Sequence, residues 1–376
     1  MSGHLIEPNA SAPLLVPLGD HDINETELSV GEGESEGMSL LEMFEEDKTF
    51  EFIVVGVGIS VIAILGIIGN ILTMMVLSRP QMKSSVCCLL FNLACCDLIL
   101  LIVVLPVHGI NVFIKHFSLW PEYTSLFIPR AAPFLLPIIA TAQTGSIYFT
   151  MSVSAERYIA VCWPLKSRFL CTWSRARYYS LAVFIFSCLI NVPRWFELQT
   201  YETILRRMNP DDGFYELETQ YEVGYTALRS NSMYTKYYMY PMLLVFQHIL
   251  PFIVLAVFNT AIYLTIKKAN EKRQGLTSVQ TREISYAVML VFVVIVFLCC
   301  NVLGMFLLLW ESQNVEFSTR YILLANFLLT FNSSINFLIY CAFGSNFRQQ
   351  FVSMYADYSF VSIQCKKTEE VYFSSL

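Results

Sequence analysis

Ser152-Val153-Ser154-Ala155-Glu156-Arg157-Tyr158-Ile159-Ala160-Val161-Cys162 closes the third of seven long apolar segments. Glu156 and Arg157 stand side by side where a bilayer-spanning helix tolerates little charge. At the centre of such a helix one charged side chain costs about 2.5–3.5 kcal/mol or more. Toward the segment end the cost falls, but each charge still needs a partner. An acid–base pair there, in register with polar residues on the other segments, is the pattern of a switch.

Working outward, 55% of the 376 residues are hydrophobic and 14% are charged. Soluble domains carry about a quarter charged residues, so this chain has little surface to show to water. A spanning helix takes about 20 apolar residues. Such segments run roughly over 52–77, 86–113, 131–155, 178–196, 237–266, 284–310 and 321–343. The expected fold is an all-α membrane protein, a seven-transmembrane helix bundle with a short amphipathic eighth helix. Residues 1–49 read as an acidic disordered tail outside the cell, 50–343 as the seven-transmembrane domain, and 344–376 as an amphipathic helix and cytoplasmic tail. Apolar residues four apart in Gly344–Phe351 suit a helix lying on the inner leaflet. Pro137 is expected to loosen the third helix, and residues 197–236 form the longest loop.

Charge sets the expected orientation. The connections after segments 1, 3 and 5, with the C-terminal tail, carry 15 basic against six acidic residues; the opposite face carries nine against 23. The positive-inside bias puts the basic face in the cytoplasm and the amino end outside a plasma membrane. No pattern suggests nucleic-acid binding. Met1–Lys48 lacks the basic start and apolar run of a secretory signal. Asn9 and Asn24 begin glycosylation triplets in that tail. All eleven cysteines fall in spanning segments or on the basic side, which leaves no exterior disulfide and no metal-ligand spacing.

Polar residues punctuate the apolar segments: Asn70, Asp97, Ser146, Asn301, Asn332, Ser333 and Asn336. A buried carboxylate among neutral oxygens suits an allosteric Na⁺ near Asp97; a protonated Asp97 and plain helix–helix hydrogen bonding are the alternatives. No other cofactor is expected. Arg157 can pair with Glu156 and with Glu283 at the start of segment 6, a bridge that would hold the inner face shut. Such a pair is better suited to a bistable latch than to stability.

These motifs resemble the rhodopsin-like G-protein-coupled receptors over roughly residues 50–352. The likeness rests on Gly69-Asn70, Asn92-Leu93-Ala94-Cys95-Cys96-Asp97, Glu156-Arg157-Tyr158, Pro251 and Asn336-Phe337-Leu338-Ile339-Tyr340. The chain also looks like the invertebrate FMRFamide-type peptide receptors. That likeness rests on Ala142-Gln143-Thr144-Gly145-Ser146-Ile147-Tyr148, Asn191-Val192-Pro193-Arg194-Trp195-Phe196-Glu197 and Phe331-Asn332-Ser333-Ser334-Ile335-Asn336. The resemblance implies a switch of Glu156, Arg157, Tyr158, Glu283, Asn336 and Tyr340. It implies a transmission contact of Ile147, Pro251, Phe297 and Asn301, and G-protein contacts at Arg157 and Pro164. Departures are also plain. Ala132 stands where the superfamily places a disulfide cysteine, Asn301 replaces an aromatic toggle, and Phe337 replaces a proline.

The implied partners are a basic, amidated peptide, a heterotrimeric G protein and, further on, arrestin. An acidic exterior suits a basic peptide. Its guanidinium would seek Glu197, Glu222 or Glu311, and its aromatic ring the apolar mouth around Met305, Leu308 and Ile322. His108, Gln143, Gln247 and Asn326 are the expected polar lining. Ile139 and Thr330 stand where an amine receptor and an opsin would need Asp and Lys. A transporter or channel would show repeats or interrupted helices. An intramembrane enzyme would show a catalytic dyad or metal-spaced histidines. Neither pattern occurs.

Overall fold

The computed structural model describes residues 48–208, 215–271, 278–313 and 318–354, without side chains at 205–208, 215–218, 269–271 and 278–290. Among these described residues, seven helices long and apolar enough to cross a membrane follow in order. They are α1 Lys48–Leu77, α2 Ser85–Phe117, α3 Tyr123–Cys162, α4 Trp173–Phe196, α5 Ser232–Lys268, α6 Ser278–Ser312 and α7 Thr319–Phe343. After Gly344 a further helix, α8, occupies residues 345–354, as the amphipathic pattern anticipates.

Four of the seven helices open on a polar cap. Ser84, Thr172, Asn231 and Ser318 immediately precede α2, α4, α5 and α7, and each side chain accepts a hydrogen bond from a backbone N–H of the first turn. That satisfies donors the helix itself leaves orphaned. Helix α3 is the longest; 40 residues make about 60 Å against a hydrocarbon core of about 30 Å. It stays helical from Ile128 to Cys162 through Pro133 and Pro137. The loosening expected at Pro137 is not a break.

The bundle is packed in two apolar layers. One joins Val76, Leu89, Leu93, Phe149, Val153 and Tyr340 near the Arg157 end; the other joins Ile59, Leu100, Leu101, Ala132, Ile139 and Leu323 toward the opposite end. Gly66 permits the crossing of α1 and α7, since a Cβ there would lie 2.6 Å from Cβ of Ser334. Wide π-helical turns at Phe52–Ile59, Leu105–Ile110 and Leu244–Ile249 loosen three helices.

One element that is not helical sits on the helical bundle. Residues read as a long loop form an antiparallel hairpin, β1 Leu198–Met208 with β2 Tyr215–Tyr225, in register from Leu198↔Tyr225 to Met208↔Tyr215. Thr, Tyr, Ile and Val favour a pleated surface, and Asn209-Pro210-Asp211-Asp212-Gly213 between the strands has turn composition. The hairpin lies on the end of α3 where the superfamily disulfide would attach. Here the tether is non-covalent. Thr200 Oγ1 donates to the Pro129 carbonyl at 2.8 Å, the Arg130 guanidinium sits 4.1 Å from the Tyr221 ring centroid, and Leu198 and Val223 pack on the layer containing Ala132.

Candidate ligand cavities and switch

Asp97 on α2 is fully buried and both carboxylate oxygens have donors. Ser146 Oγ of α3 donates to Oδ1 at 2.7 Å and Asn336 Nδ2 of α7 to Oδ2 at 2.8 Å; Ser333 also bonds to the carboxylate. Asn70 of α1 joins one step away, its Nδ2 donating to the carbonyls of Gly66 and Ser333 at 2.9 Å each. Its Oδ1 is buried without a hydrogen-bond partner among the described residues. Four helices thus converge on one carboxylate. Asn332, expected in this group, is half-buried and makes none of its bonds. It sits one residue, or about 100° around α7, from Ser333.

Two cavities open toward the hairpin end. The first spans about 670 Å³ of empty space, its open mouth included, and is lined by Gln143, Arg194, Gln247, His248, Asn301 and Glu311, with Leu308 among its apolar walls. Thr144 braces it: the hydroxyl accepts from Asn191 Nδ2 of α4 at 2.9 Å and from Gln247 Nε2 of α5 at 3.2 Å. On its floor Asn301 Nδ2 donates to the Phe297 carbonyl at 2.8 Å. Phe297 shares a buried cluster with Ile147, Leu255 and Val294. Pro251 is buried one turn before Leu255. The second cavity lies between α1, α2 and α7, lined by His108, Asn111, Asn326 and Ile322 among others. The expected ligand set is therefore divided. Gln143, Gln247 and Glu311 face one cavity and His108 and Asn326 the other, while Met305 is half-buried and lines neither.

Two of the carboxylates expected to await a ligand cation already have one. Glu311 Oε1 lies 3.2 Å from Arg229 Nη2 and accepts from Tyr240 Oη at 3.0 Å, with both charged side chains almost wholly buried. Burial opposes the Arg229 charge, but Glu311, Tyr240 and Tyr225 outweigh it and hold the guanidinium above its ordinary pKa. Arg229 follows the hairpin and Glu311 ends α6, so the pair ties loop to helix. Glu197 is held by Arg194 at 3.4 Å and by Tyr234 Oη at 2.8 Å. Glu222 remains exposed.

The chain matches the model of the 7 transmembrane receptor (rhodopsin family) over residues 69–340. It belongs to that family. It is 38% identical over 317 residues to the FMRFamide receptor of Drosophila melanogaster, covering 82% of this chain and 55% of that protein. It is 33% identical over 309 residues to the FMRFamide peptide receptor frpr-18 of Caenorhabditis elegans, covering 78% and 67%. To the sex peptide receptor of Drosophila melanogaster it is 28% identical over 311 residues, covering 78% and 70%. The chain thus spans about half the length of the first of these relatives. Membership makes this a multi-pass membrane receptor and not an enzyme, and it disfavours the transporter reading.

At the other end of this receptor, Glu156 is bonded to the Ser85 hydroxyl at the start of α2, a partner the sequence analysis did not name. The Ser85 hydroxyl also lies 3.1 Å from the Cys171 carbonyl oxygen. Arg157 is buried. The Glu283 side chain lies outside the described residues, as do Asn9 and Asn24. Tyr158 stacks on Phe258 of α5 with ring centroids 5.0 Å apart. The buried hydroxyl of Tyr340 has no hydrogen-bond partner among the described residues. Pro164 is exposed and opens the short helix Pro164–Leu170. Sequence reading missed Ser85, Thr144, Arg229 and His248 as site residues. Only Arg229 had a signal: a carboxylate inside an apolar helix demands a cation, and the loop before α5 supplies one.

Proposed function

We propose that this receptor resides in the plasma membrane with its amino end outside, binds an amidated, basic peptide of the FMRFamide type, and activates a heterotrimeric G protein. Arrestin would engage the same basic face after activation. One observation carries the reading. The first cavity ends on Asn301, and Asn301 bonds to the backbone of Phe297, which packs on Ile147. A ligand pressing on the floor thereby pushes on the contact between α3, α5 and α6. The names of the relatives supply the peptide class. The charge asymmetry supports the orientation.

In this reading 1–49 is an outer tail carrying sugars at Asn9 and Asn24, 50–343 the transducing bundle, and 344–376 the inner helix and tail. Na⁺ at Asp97 fits the donor set, which offers a carboxylate, two serine hydroxyls and an orphaned Asn70 Oδ1 nearby, all hard oxygens. The ion would steady the resting arrangement of the four helices. With Glu311 and Glu197 engaged internally, a peptide guanidinium must displace Arg229 from the first or Arg194 from the second, or begin at exposed Glu222.

The test is a panel of amidated peptides on cells expressing the chain, read with a reporter blind to G-protein subtype. At least one Arg-Phe-amide peptide should signal at sub-micromolar concentration. Silence across the panel with confirmed surface expression would overturn the peptide reading.

A further inference from the structure

The second cavity holds an unusual set of polar atoms. His108 and Asn326 are 7% and 5% exposed, yet His108 Nε2 and Asn326 Oδ1 have no hydrogen-bond partner among the described residues. Asn111 Oδ1, one turn from His108, is likewise buried and unpartnered. All three residues line the same space, about 450 Å³ with its mouth included, beside apolar walls from Val55, Val107 and Leu323. Buried polar atoms left without partners are uncommon in native proteins, and a cluster of them around one cavity calls for a ligand or water.

We propose that this cavity is the site that receives the terminal carboxamide of the peptide. The assignment rests on the peptide reading above and names the chemical group recognised. A primary carboxamide brings two N–H donors and one carbonyl acceptor. Two asparagine oxygens match the donors, and an imidazole N–H matches the carbonyl. The neighbouring apolar walls receive the side chain that bears the amide. A free carboxylate fits poorly, because it would bring a full charge into a lining that is neutral at its centre. Glu51 and Lys115 also line the cavity, but their opposite charges cancel, and each already has an interaction partner. A buried charge without a counter-charge is strongly disfavoured.

Two paired measurements test this on the full chain. In cells, one peptide is made with an Arg-Phe-amide end and again with an Arg-Phe free-acid end. The amide should be at least about tenfold more potent, the scale of a buried polar group satisfied or stranded. Asn326→Ala and His108→Ala should each bring the two potencies together by weakening the amide form. Asn111→Ala serves as a milder variant if either fails to reach the surface. Gln247→Ala in the first cavity should weaken both forms equally. On purified receptor, N-acetyl-phenylalaninamide should raise Tm and N-acetyl-phenylalanine should not, an effect lost in Asn326→Ala.

An undiminished amide-to-acid ratio in all three variants at normal surface expression would overturn the assignment, as would equal stabilisation by the two fragments. Stabilisation by the amide fragment without signalling from any peptide would support the cavity and overturn the peptide reading. Failure of both would overturn both.

Discussion

Ser146 and Asn336 each give a donor to a different oxygen of Asp97, so the carboxylate is held from α3 and α7 at once. Removing the Ser146 donor leaves the bonds from Asn336 and Ser333 but takes one charge-assisted hydrogen bond from a carboxylate buried in the bundle centre. Ser146→Ala should therefore destabilise the receptor by about 1–3 kcal/mol, read as a lower Tm in detergent. If Na⁺ occupies the site, added NaCl should raise the Tm of the parent more than that of Asp97→Asn, with choline chloride as the ionic-strength control. Tyr340 poses the opposite case. Its hydroxyl is buried and without a hydrogen-bond partner among the described residues, while its ring packs edge-on to Phe347 at 5.6 Å. Tyr340→Phe should leave Tm unchanged or slightly raised and should lower the maximal agonist response, because the hydroxyl finds its partner only after the helices rearrange. A fall in Tm would mean the resting state already uses that hydroxyl. At this scale the sequence was easy to read for residue identity, since Asp97, Asn70 and Asn336 stand out against apolar neighbours. Which asparagine faces the carboxylate was harder. Asn332 and Asn336 lie one turn apart on nearly the same face of α7, so what separates them is mainly about 6 Å of height along the helix axis.

The hairpin is the element whose form was least legible. Its residues alternate weakly, and half-exposed strands carry no apolar run to distinguish them from loop. Its attachment was invisible because the expected marker, a cysteine pair, is absent and three ordinary contacts stand in its place. Each is modest: about 0.5–1.5 kcal/mol for the Thr200–Pro129 hydrogen bond and about 0.5–1 kcal/mol for Arg130 on Tyr221. Combining Thr200→Val with Tyr221→Leu should raise amide hydrogen exchange across residues 198–204 and 219–225 while α2 and α3 keep their protection. Equal loss of protection in α3 would show that the hairpin stabilises the bundle as well as resting on it. The Arg229–Glu311 pair is a different kind of tether, because both ends are buried. Breaking such a pair from one side typically costs about 3–5 kcal/mol, whereas replacing both partners by apolar residues of similar volume is often neutral. Glu311→Gln should thus lower surface expression and Tm, and Arg229→Met with Glu311→Leu should recover both. If the pair also bars the peptide from the first cavity, the double variant will change agonist potency while Tm stays level.

Across the whole molecule, seven spans, their order and the trailing helix were legible because lipid imposes one rule on every segment: satisfy the backbone internally and turn apolar side chains outward. What no periodicity encodes is which arrangement of the bundle is the resting one. Glu156 bonds to Ser85 at the start of α2, which fastens the Arg157 end of α3 to a helix other than α6. The expected latch to Glu283 acts on Arg157 itself, while the Ser85 bond is a separate restraint on Glu156. That sharpens the prediction. A latch contributing about 1.4 kcal/mol keeps the active fraction about tenfold lower than it would otherwise be. Glu283→Ala should raise ligand-free G-protein activation by about that factor, provided that the active state is rare to begin with. Ser85→Ala, which removes a donor to Glu156 without touching α6, should raise it less or not at all. The comparison is made at matched surface expression, with Arg157→Gln as the uncoupled reference. No rise in Glu283→Ala, or an equal rise in both variants, would show that α6 is restrained by packing around Phe297 and Ile147 and not by charge.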